Sequence, residues 1–231
     1  MPLYFLSDVH LRLDRPERAA RLSRFVSGLR PEDQIVIVGD LCDFWFASRQ
    51  VEQVSRCEGL RSLAAFQAGG GALTLMPGNH DAWLGPFYAK TLGVGYESES
   101  LDLVYGGTRF HATHGHTVGA HSPWKRWMKG QAFLRAFHET PAPLASVLNV
   151  LLDSANEFHR ESVDRKHIAV YRRHANTIGD QADVCVYGHI HQTVDQIGES
   201  PRLVILGGWH RQSSYLRVED DGSSALVVDP A

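Results

Sequence analysis

Five short stretches of the chain carry side chains that could bind metal ions. They are Asp8-Val9-His10, Gly39-Asp40-Leu41-Cys42-Asp43, Gly78-Asn79-His80-Asp81, His114-Gly115-His116 and Gly188-His189-Ile190-His191. Residues two apart in a strand point to the same side. We therefore expect His189 and His191 to face one pocket, and Asp8 and His10 to repeat that geometry. Such pairs at opposite ends of a chain indicate a metal site.

The ligand types indicate which metals and which chemistry the site would serve. The seven candidates are Asp8, His10, Asp40, Asn79, His114, His189 and His191. Oxygen and imidazole ligands without thiolates suit Mn²⁺, Fe or Zn²⁺. Seven ligands are too many for one ion but enough for two that share an aspartate. Two such ions clamp a phosphoryl group for in-line displacement, and a metal-activated hydroxide would attack phosphorus.

Buried strands and helices alternate along the first third of the chain and place the first three stretches. Apolar runs at Leu3–Leu6, Ile35–Val38 and Leu73–Met76 predict strands, each ending just before a candidate stretch. Helices are predicted over residues 15–29, where Asp14 can cap the N-terminus, and over residues 51–68. This alternation is typical of α/β folds, in which ligands bind beyond the carboxyl ends of the strands.

The rest of the chain predicts a hairpin, a helical insertion and further strands. The predicted strands are 101–105, 109–113, 184–187, 203–206, 215–218 and 225–228, the last three antiparallel. Residues 117–178 contain only helical patterns. We expect one α/β domain over residues 1–231, with mixed, sandwich-like central sheets flanked by helices and a helical cap at 117–178 over the site.

Composition favours a soluble globular protein in a reducing compartment. The chain has 231 residues, a net charge of −3 and 43% hydrophobic residues, so no nucleic-acid partner is expected. Its three cysteines are odd in number and lack Cys-x-x-Cys spacing, which favours the cytoplasm. No apolar run has the length of a signal peptide or a membrane span.

The order DxH, GDxxD, GNHD, HGH and GHxH resembles the calcineurin-like metallophosphoesterases. The resemblance implies their fold and two divalent ions, one held by Asp8, His10, Asp40 and His191 and the second by Asp40, Asn79, His114 and His189. It also implies that His80 contacts the phosphate and protonates the leaving oxygen, oriented by Asp43. A helix cap is the alternative role for Asp43 and the expected role for Asp81. His116 suits either a supporting position or a turn.

The predicted cap has a charge and an apolar pattern of its own. Residues 121–175 carry nine Lys/Arg and five Asp/Glu, a balance of +4, and Trp124 and Trp127 lie among basic residues. A basic, tryptophan-bearing amphipathic segment suits an anionic membrane surface or an acylated substrate. The alternative is that these apolar residues pack the cap onto the sheet.

A narrower resemblance involves Asp40-Leu41, Phe44-Trp45, the helical insertion and Leu206-Gly207-Gly208-Trp209-His210. These features resemble the UDP-2,3-diacylglucosamine hydrolase branch of lipid A biosynthesis, which implies a Mn²⁺ pyrophosphatase peripheral on the inner membrane that releases UMP and a lipid phosphate. The residues proposed to bind substrate are Trp45, Asn156, Arg160 and Arg165. His80 and His116 depart from the Arg and Asp of the best-known members. A metallophosphoesterase for another phosphodiester or phosphomonoester, or a non-catalytic binding module, therefore remains an alternative.

Overall fold

A computed structural model describes residues 1–13, 15–43, 56–82, 84–96, 98–119, 165–210 and 212–230. Its ten strands are β1 (Leu3–Leu6), β2 (Gln34–Val38), β3 (Ala72–Met76), β4 (Ser100–Tyr105), β5 (Thr108–Thr113), β6 (Val184–Tyr187), β7 (Thr193–Gln196), β8 (Arg202–Leu206), β9 (Gln212–Val218) and β10 (Ser224–Pro230). The described helices are α1 (Pro16–Ser27), α2 (Glu58–Ala68), α3 (Gly85–Leu92) and α4 (Arg165–Ile178), with a 3₁₀ turn at Gly179–Gln181.

The strands form two five-stranded mixed sheets. The first has the order β10-β9-β1-β2-β3, in which β1, β2 and β3 are parallel and β9 is antiparallel to β1. The second has the order β4-β5-β6-β8-β7, in which β5, β6 and β8 are parallel. The parallel core of each sheet gives a set of carboxyl ends at one edge, where ligands gather in α/β folds.

The two sheets pack face to face, and helices cover their outer faces. Alternate residues of one strand point to opposite faces, so Phe5 joins the core between the sheets and Leu6 joins the core under the helices. Residues of α1, α2 and α3 pack on the first sheet, and Tyr171 and Ala175 of α4 pack on the second. Strands buried on both faces explain the continuous apolar runs of the sequence.

The predicted α/β class with mixed sheets flanked by helices is confirmed, but some elements differ. The sequence did not predict β7, a half-buried edge strand whose only apolar residue is Val194. Strand β8, expected to be antiparallel, pairs antiparallel with β7 but parallel with β6. The N-cap of α1 is Arg15, whose side chain makes no capping hydrogen bond to the helix. The expected cap, Asp14, lies outside the described residues.

Two predicted helical regions are only partly described. The helix expected over residues 51–68 begins at Glu58 with Cys57 as its N-cap, so the prediction is wrong for residues 56 and 57, and residues 51–55 lie outside the described chain. The helical cap expected over 117–178 is described only at its two ends, as a turn up to residue 119 and as α4.

Candidate metal centre

The backbone at the candidate ligands is strained. Among the described residues, those with positive φ other than glycine are Asp8 (55°), His10 (51°), Asp40 (53°), His189 (72°) and His191 (55°). All five belong to the seven predicted ligands. A left-handed conformation is unfavourable for a residue with a Cβ, at a cost of the order of 1–3 kcal/mol, and such residues cluster at functional sites. The strain marks the same positions as the motifs.

These dihedrals correct the reasoning from strand alternation. Strand β1 ends at Leu6 and β6 ends at Tyr187, so both residue-x-His pairs lie beyond their strands. The loop after β1 runs beside the loop after β2, with His10 N–H donating to the Asp40 carbonyl at 3.0 Å. Left-handed turns in adjoining loops, not the two-residue period of a strand, bring the pairs to one place.

Each of the two central carboxylates has one oxygen held by the protein and one that is not. Asp8 Oδ2 accepts hydrogen bonds from Ser7 Oγ at 2.6 Å and from His189 N–H at 2.9 Å. Asp40 Oδ1 accepts one from His80 N–H at 2.8 Å. Asp8 Oδ1 and Asp40 Oδ2 are also buried, yet no donor in the described part of the chain is hydrogen-bonded to either. Buried oxygens of this kind need a cation or a donor.

Imidazole nitrogens surround these two oxygens in what we call the first cluster (Asp8, His10, Asp40, His191) and the second cluster (Asp40, Asn79, His114, His189). In the first cluster, His191 Nε2 lies 3.1 Å from both Asp8 Oδ1 and His10 Nε2. In the second, His114 Nε2 lies 3.2 Å from both Asp40 Oδ2 and Asn79 Oδ1.

Asp40 lies between the two clusters. Its Oδ2 is 3.8 Å from His10 Nε2 in the first cluster, and a ligand atom of Asp40 lies within 4.8 Å of those of His114 and His189 in the second. His114 Nδ1 donates to the Val38 carbonyl at 2.9 Å, which leaves the lone pair on Nε2, the nitrogen near Asp40. Asp40 is therefore within reach of the imidazoles of both clusters.

Burial and mutual attraction shift the pKa values of these groups strongly. Burial raises the pKa of Asp8 and Asp40, but neighbouring histidines, His191 and His114 respectively, outweigh it and hold both carboxyls well below their usual range. Burial lowers the pKa of His10, but Asp43 and Asp8 raise it to about 10; Asp40 likewise raises that of His114 to about 9. The carboxylates therefore stay ionised and attract cations, whether protons or metals.

The donor set fits divalent metal ions. Carboxylate and amide oxygens with neutral imidazoles suit Mn²⁺, Fe or Zn²⁺, and the two buried oxygens without donors are the places where a cation would satisfy the protein. His189 is suited to be a ligand, because burial and the nearby His114 lower its pKa and keep the ring neutral.

His80 and Asp43 form a hydrogen-bonded pair beside the first cluster. His80 Nδ1 donates to Asp43 Oδ1 at 2.6 Å, both side chains are buried, and the His80 ring meets the His10 ring edge-on at a centroid distance of 4.6 Å. Asp43 Oδ2 is also 3.5 Å from Arg12 Nη1. This hydrogen bond fixes the tautomer and the orientation of the ring, so its Nε2 is the nitrogen that a substrate would meet.

Comparison with known proteins identifies the family. A family model described as calcineurin-like phosphoesterase matches residues 1–193, which include all five stretches.

The chain belongs to the calcineurin-like phosphoesterase family.

It is accordingly a hydrolase of the phosphoesterase class. Relatives named UDP-2,3-diacylglucosamine hydrolase include one from Pseudomonas savastanoi pv. phaseolicola, 26% identical over 98% of this chain and 96% of its own length. Another, from Neisseria meningitidis serogroup B, is 24% identical over 99% and 98%. Among solved structures, an E. coli phosphoesterase is 18% identical, with a TM-score of 0.47 over 99% of this chain and 100% of its own.

Two glycines of this phosphoesterase leave room for the carboxylates. A Cβ at Gly78 would lie 2.0 Å from Asp40 Oδ1, and one at Gly188 would lie 2.0 Å from Ser7 Oγ and 2.6 Å from Asp8 Oδ2. Any larger residue would push an aspartate out of place.

Asp81 has a larger role than the helix cap expected from sequence. It is fully buried, and its Oδ1 accepts hydrogen bonds from the N–H groups of Gly78 and Asp40. Its Oδ2 accepts from Leu41 N–H at 2.9 Å, from Cys42 N–H and from Tyr88 Oη. The cap prediction is wrong: Asp81 ties the loop after β2 to the loop after β3 and so positions Asp40.

The structure also places histidines whose roles the sequence left open. His116 is buried, with its ring centroid 5.3 Å from that of His114 and 6.2 Å from that of His189, beside the second cluster. His210 lies beside the first cluster. His111 and His174 form hydrogen bonds away from the site: His111 Nδ1 with Asp102 Oδ1 at 2.6 Å, and His174 Nδ1 with Tyr187 Oη at 2.8 Å.

The side chains of the four residues predicted to bind substrate are outside the described part of the structure. Trp45, Asn156 and Arg160 are outside the described residues, and Arg165 begins α4, where only its backbone is described. Their role in substrate binding stays a prediction.

Proposed function

We propose that this chain hydrolyses phosphoric esters or pyrophosphates with two divalent cations, one held by each of the two clusters. The observation that carries the proposal is the pair of buried oxygens, Asp8 Oδ1 and Asp40 Oδ2, which lie 3.1–3.8 Å from imidazole nitrogens and accept no well-aligned hydrogen bond from the described chain. Cations bound there would polarise phosphoryl oxygens and supply a strong oxygen nucleophile at neutral pH. Mn²⁺ is the proposed native metal.

The protein's own groups then provide position and proton transfer. His80, held by Asp43, is the general acid that donates a proton from Nε2 to the leaving oxygen. Asp43 accepts the hydrogen bond from Nδ1 and so fixes the direction of the ring. The pair is buried, so water competes weakly for the hydrogen bond between His80 and Asp43, and the attraction between the two side chains is strong. The arrangement supports hydrolysis rather than a binding module.

For the substrate, we propose an acylated nucleotide sugar such as UDP-2,3-diacylglucosamine, cleaved at its pyrophosphate to UMP and a lipid monosaccharide phosphate. The support is the name shared by relatives that match nearly the full length of both chains. The test is turnover of that substrate by the purified, Mn²⁺-loaded protein, with release of UMP followed by chromatography. Hydrolysis of bis-p-nitrophenyl phosphate without release of UMP would overturn the lipid assignment and keep the phosphoesterase.

A different phosphodiester or phosphomonoester is the second candidate, favoured by the His80–Asp43 pair. An alkoxide is a poor leaving group and needs a proton as the bond breaks, whereas a phosphate leaving group needs one less. A built-in acid therefore suits an ester. A panel of nucleotide diesters and sugar phosphates, compared by kcat/KM with the lipid substrate, separates the two candidates.

We also propose peripheral contact with the cytoplasmic face of the inner membrane through the basic segment 121–175. In the described parts of the chain, no helix is long and apolar enough to cross a bilayer. Cosedimentation with vesicles tests the contact. Binding to anionic vesicles that is lost in 0.5 M salt, where the Debye length is about 4 Å, supports it. Equal binding to neutral vesicles, or no binding, contradicts it.

A further inference from the structure

His210 lies next to the first cluster although it comes from the far end of the chain. It lies beyond residue 193, where the family match ends. Its ring centroid is 4.9 Å from that of His191 and 5.3 Å from that of His10. Ligand atoms of the three imidazoles all lie within 4.8 Å of one another, close enough to meet on one ion.

The loop that carries His210 is fastened to the ligands themselves. Gly208 N–H donates to the His191 carbonyl at 3.2 Å, and Trp209 N–H donates to the Asp8 carbonyl at 3.0 Å. The Trp209 side chain is fully buried, with its Nε1–H donating to the Ser214 carbonyl at 2.9 Å. His210 is therefore set beside the first cluster by the same backbone that positions Asp8 and His191.

A buried arginine of α1 adds a further restraint to this loop. Arg21 Nη1 donates at 2.5 Å to the carbonyl of Trp209, which directly precedes His210. These contacts fix the backbone of Gly208 and Trp209, and so they restrict where the ring of His210 can lie relative to the first cluster.

We infer that His210 is an additional nitrogen ligand for the cation of the first cluster, an inference that rests on the proposed metal-dependent function. The first cluster would then offer three imidazoles and the second cluster two imidazoles and an amide oxygen. Imidazole suits Zn²⁺ and Fe, whereas Mn²⁺ favours oxygen ligands. The clusters already differ, with Asp8 in the first where the second has Asn79, and His210 adds a third imidazole that gives the first a greater preference for Zn²⁺ or Fe.

The test measures metal affinity directly, with His210→Ala, His210→Gln and the control His167→Ala, which removes an exposed imidazole of α4. Competition with a chromophoric chelator gives the dissociation constants of Zn²⁺ and Mn²⁺ at both sites. We expect both His210 variants to weaken Zn²⁺ binding at one site about 10-fold or more, with a smaller loss for Mn²⁺ and none in the control. Unchanged Zn²⁺ affinity, or equal losses for both metals, would overturn the inference.

A measurement on the unaltered protein covers the case in which a variant fails to fold. Long-range ¹H–¹⁵N spectra of the Zn²⁺-loaded chain separate metal-bound from free imidazole nitrogens. Five bound imidazoles are expected, from His10, His114, His189, His191 and His210. Four bound imidazoles with two tightly bound ions would refute the ligand role of His210 and keep the proposed function. Failure to bind any cation would refute both.

Discussion

Replacing Asp43 by Asn tests whether His80 is a general acid oriented by a carboxylate. The Asp43–His80 hydrogen bond is 2.6 Å long and buried, and Asn keeps its shape but removes its charge. A hydrogen bond to a charged group contributes about 1.5–3 kcal/mol. At about 1.36 kcal/mol per tenfold change in rate, Asp43→Asn should lower kcat about 10- to 150-fold.

The comparison with His80→Ala shows whether the two residues act as one unit. Removing a general acid costs about 10²–10⁴ in rate, so His80→Ala should be the more damaging change. The double variant should be no slower than His80→Ala, because Asp43 acts through His80. Asp43 also lies 3.7 Å from His10 Nδ1, so the metal content of every variant must be measured and should be unchanged.

The assay uses two phosphodiesters that differ only in the leaving group, p-nitrophenol or a simple alcohol. An acid matters little for p-nitrophenolate, which leaves without a proton, and matters greatly for an alkoxide. His80→Ala should therefore slow the alkyl ester far more than the nitrophenyl ester. Equal losses on the two esters, or a double variant slower than His80→Ala by the full Asp43 factor, would refute the acid role.

Three further predictions concern the ligand clusters and their support. Metal binding should release about two protons at pH 7.5, because His10 and His114, with pKa values raised to about 10 and 9, must become neutral to bind the metal. Calorimetry in Tris and in HEPES should show binding enthalpies that differ between the buffers, and the metal affinity should rise towards pH 9. Binding enthalpies that are the same in both buffers would contradict the prediction. Asp81→Ala should cost about 3 kcal/mol or more, or about 6–12 °C in Tm, against about 1 kcal/mol for the control Tyr88→Phe; equal shifts would contradict the loop-tying role. Gly188→Ala should weaken metal binding, measured by chelator competition, because its Cβ would displace Asp8, whereas Gly95→Ala, at a position with open space, should leave it unchanged; equal affinities of the two variants would contradict this.

Much of the site could be predicted from residue types and order, because the chemistry of a metal site restricts its ligands. The seven candidates all lie in the two clusters. The backbone that brings them together could not be predicted, since a positive φ at His189 or Asp40 is fixed by neighbouring loops and not by local preference. Strand alternation therefore grouped residues that the structure also brings together, but through the wrong geometry.

Long-range contacts also explain what the sequence did not indicate. Asp81 resembles an ordinary cap in its local context, and only the folded loops show its hydrogen bonds to residues 40–42. His210 belongs to the Leu206–His210 stretch named in the narrower resemblance but to none of the five metal-ligand stretches, and a loop fastened to Asp8 and His191 places it at the site. For β8, the continuous apolar run Leu203–Leu206 was itself a signal of a central parallel strand.

The most direct test is diffraction from crystals grown with Mn²⁺, recorded at the metal absorption edge. Two anomalous peaks about 3.5–4 Å apart are expected, with Asp40 Oδ2 between them and Asp8 Oδ1 beside one. A single peak, or peaks away from Asp40, would contradict the two-cation site.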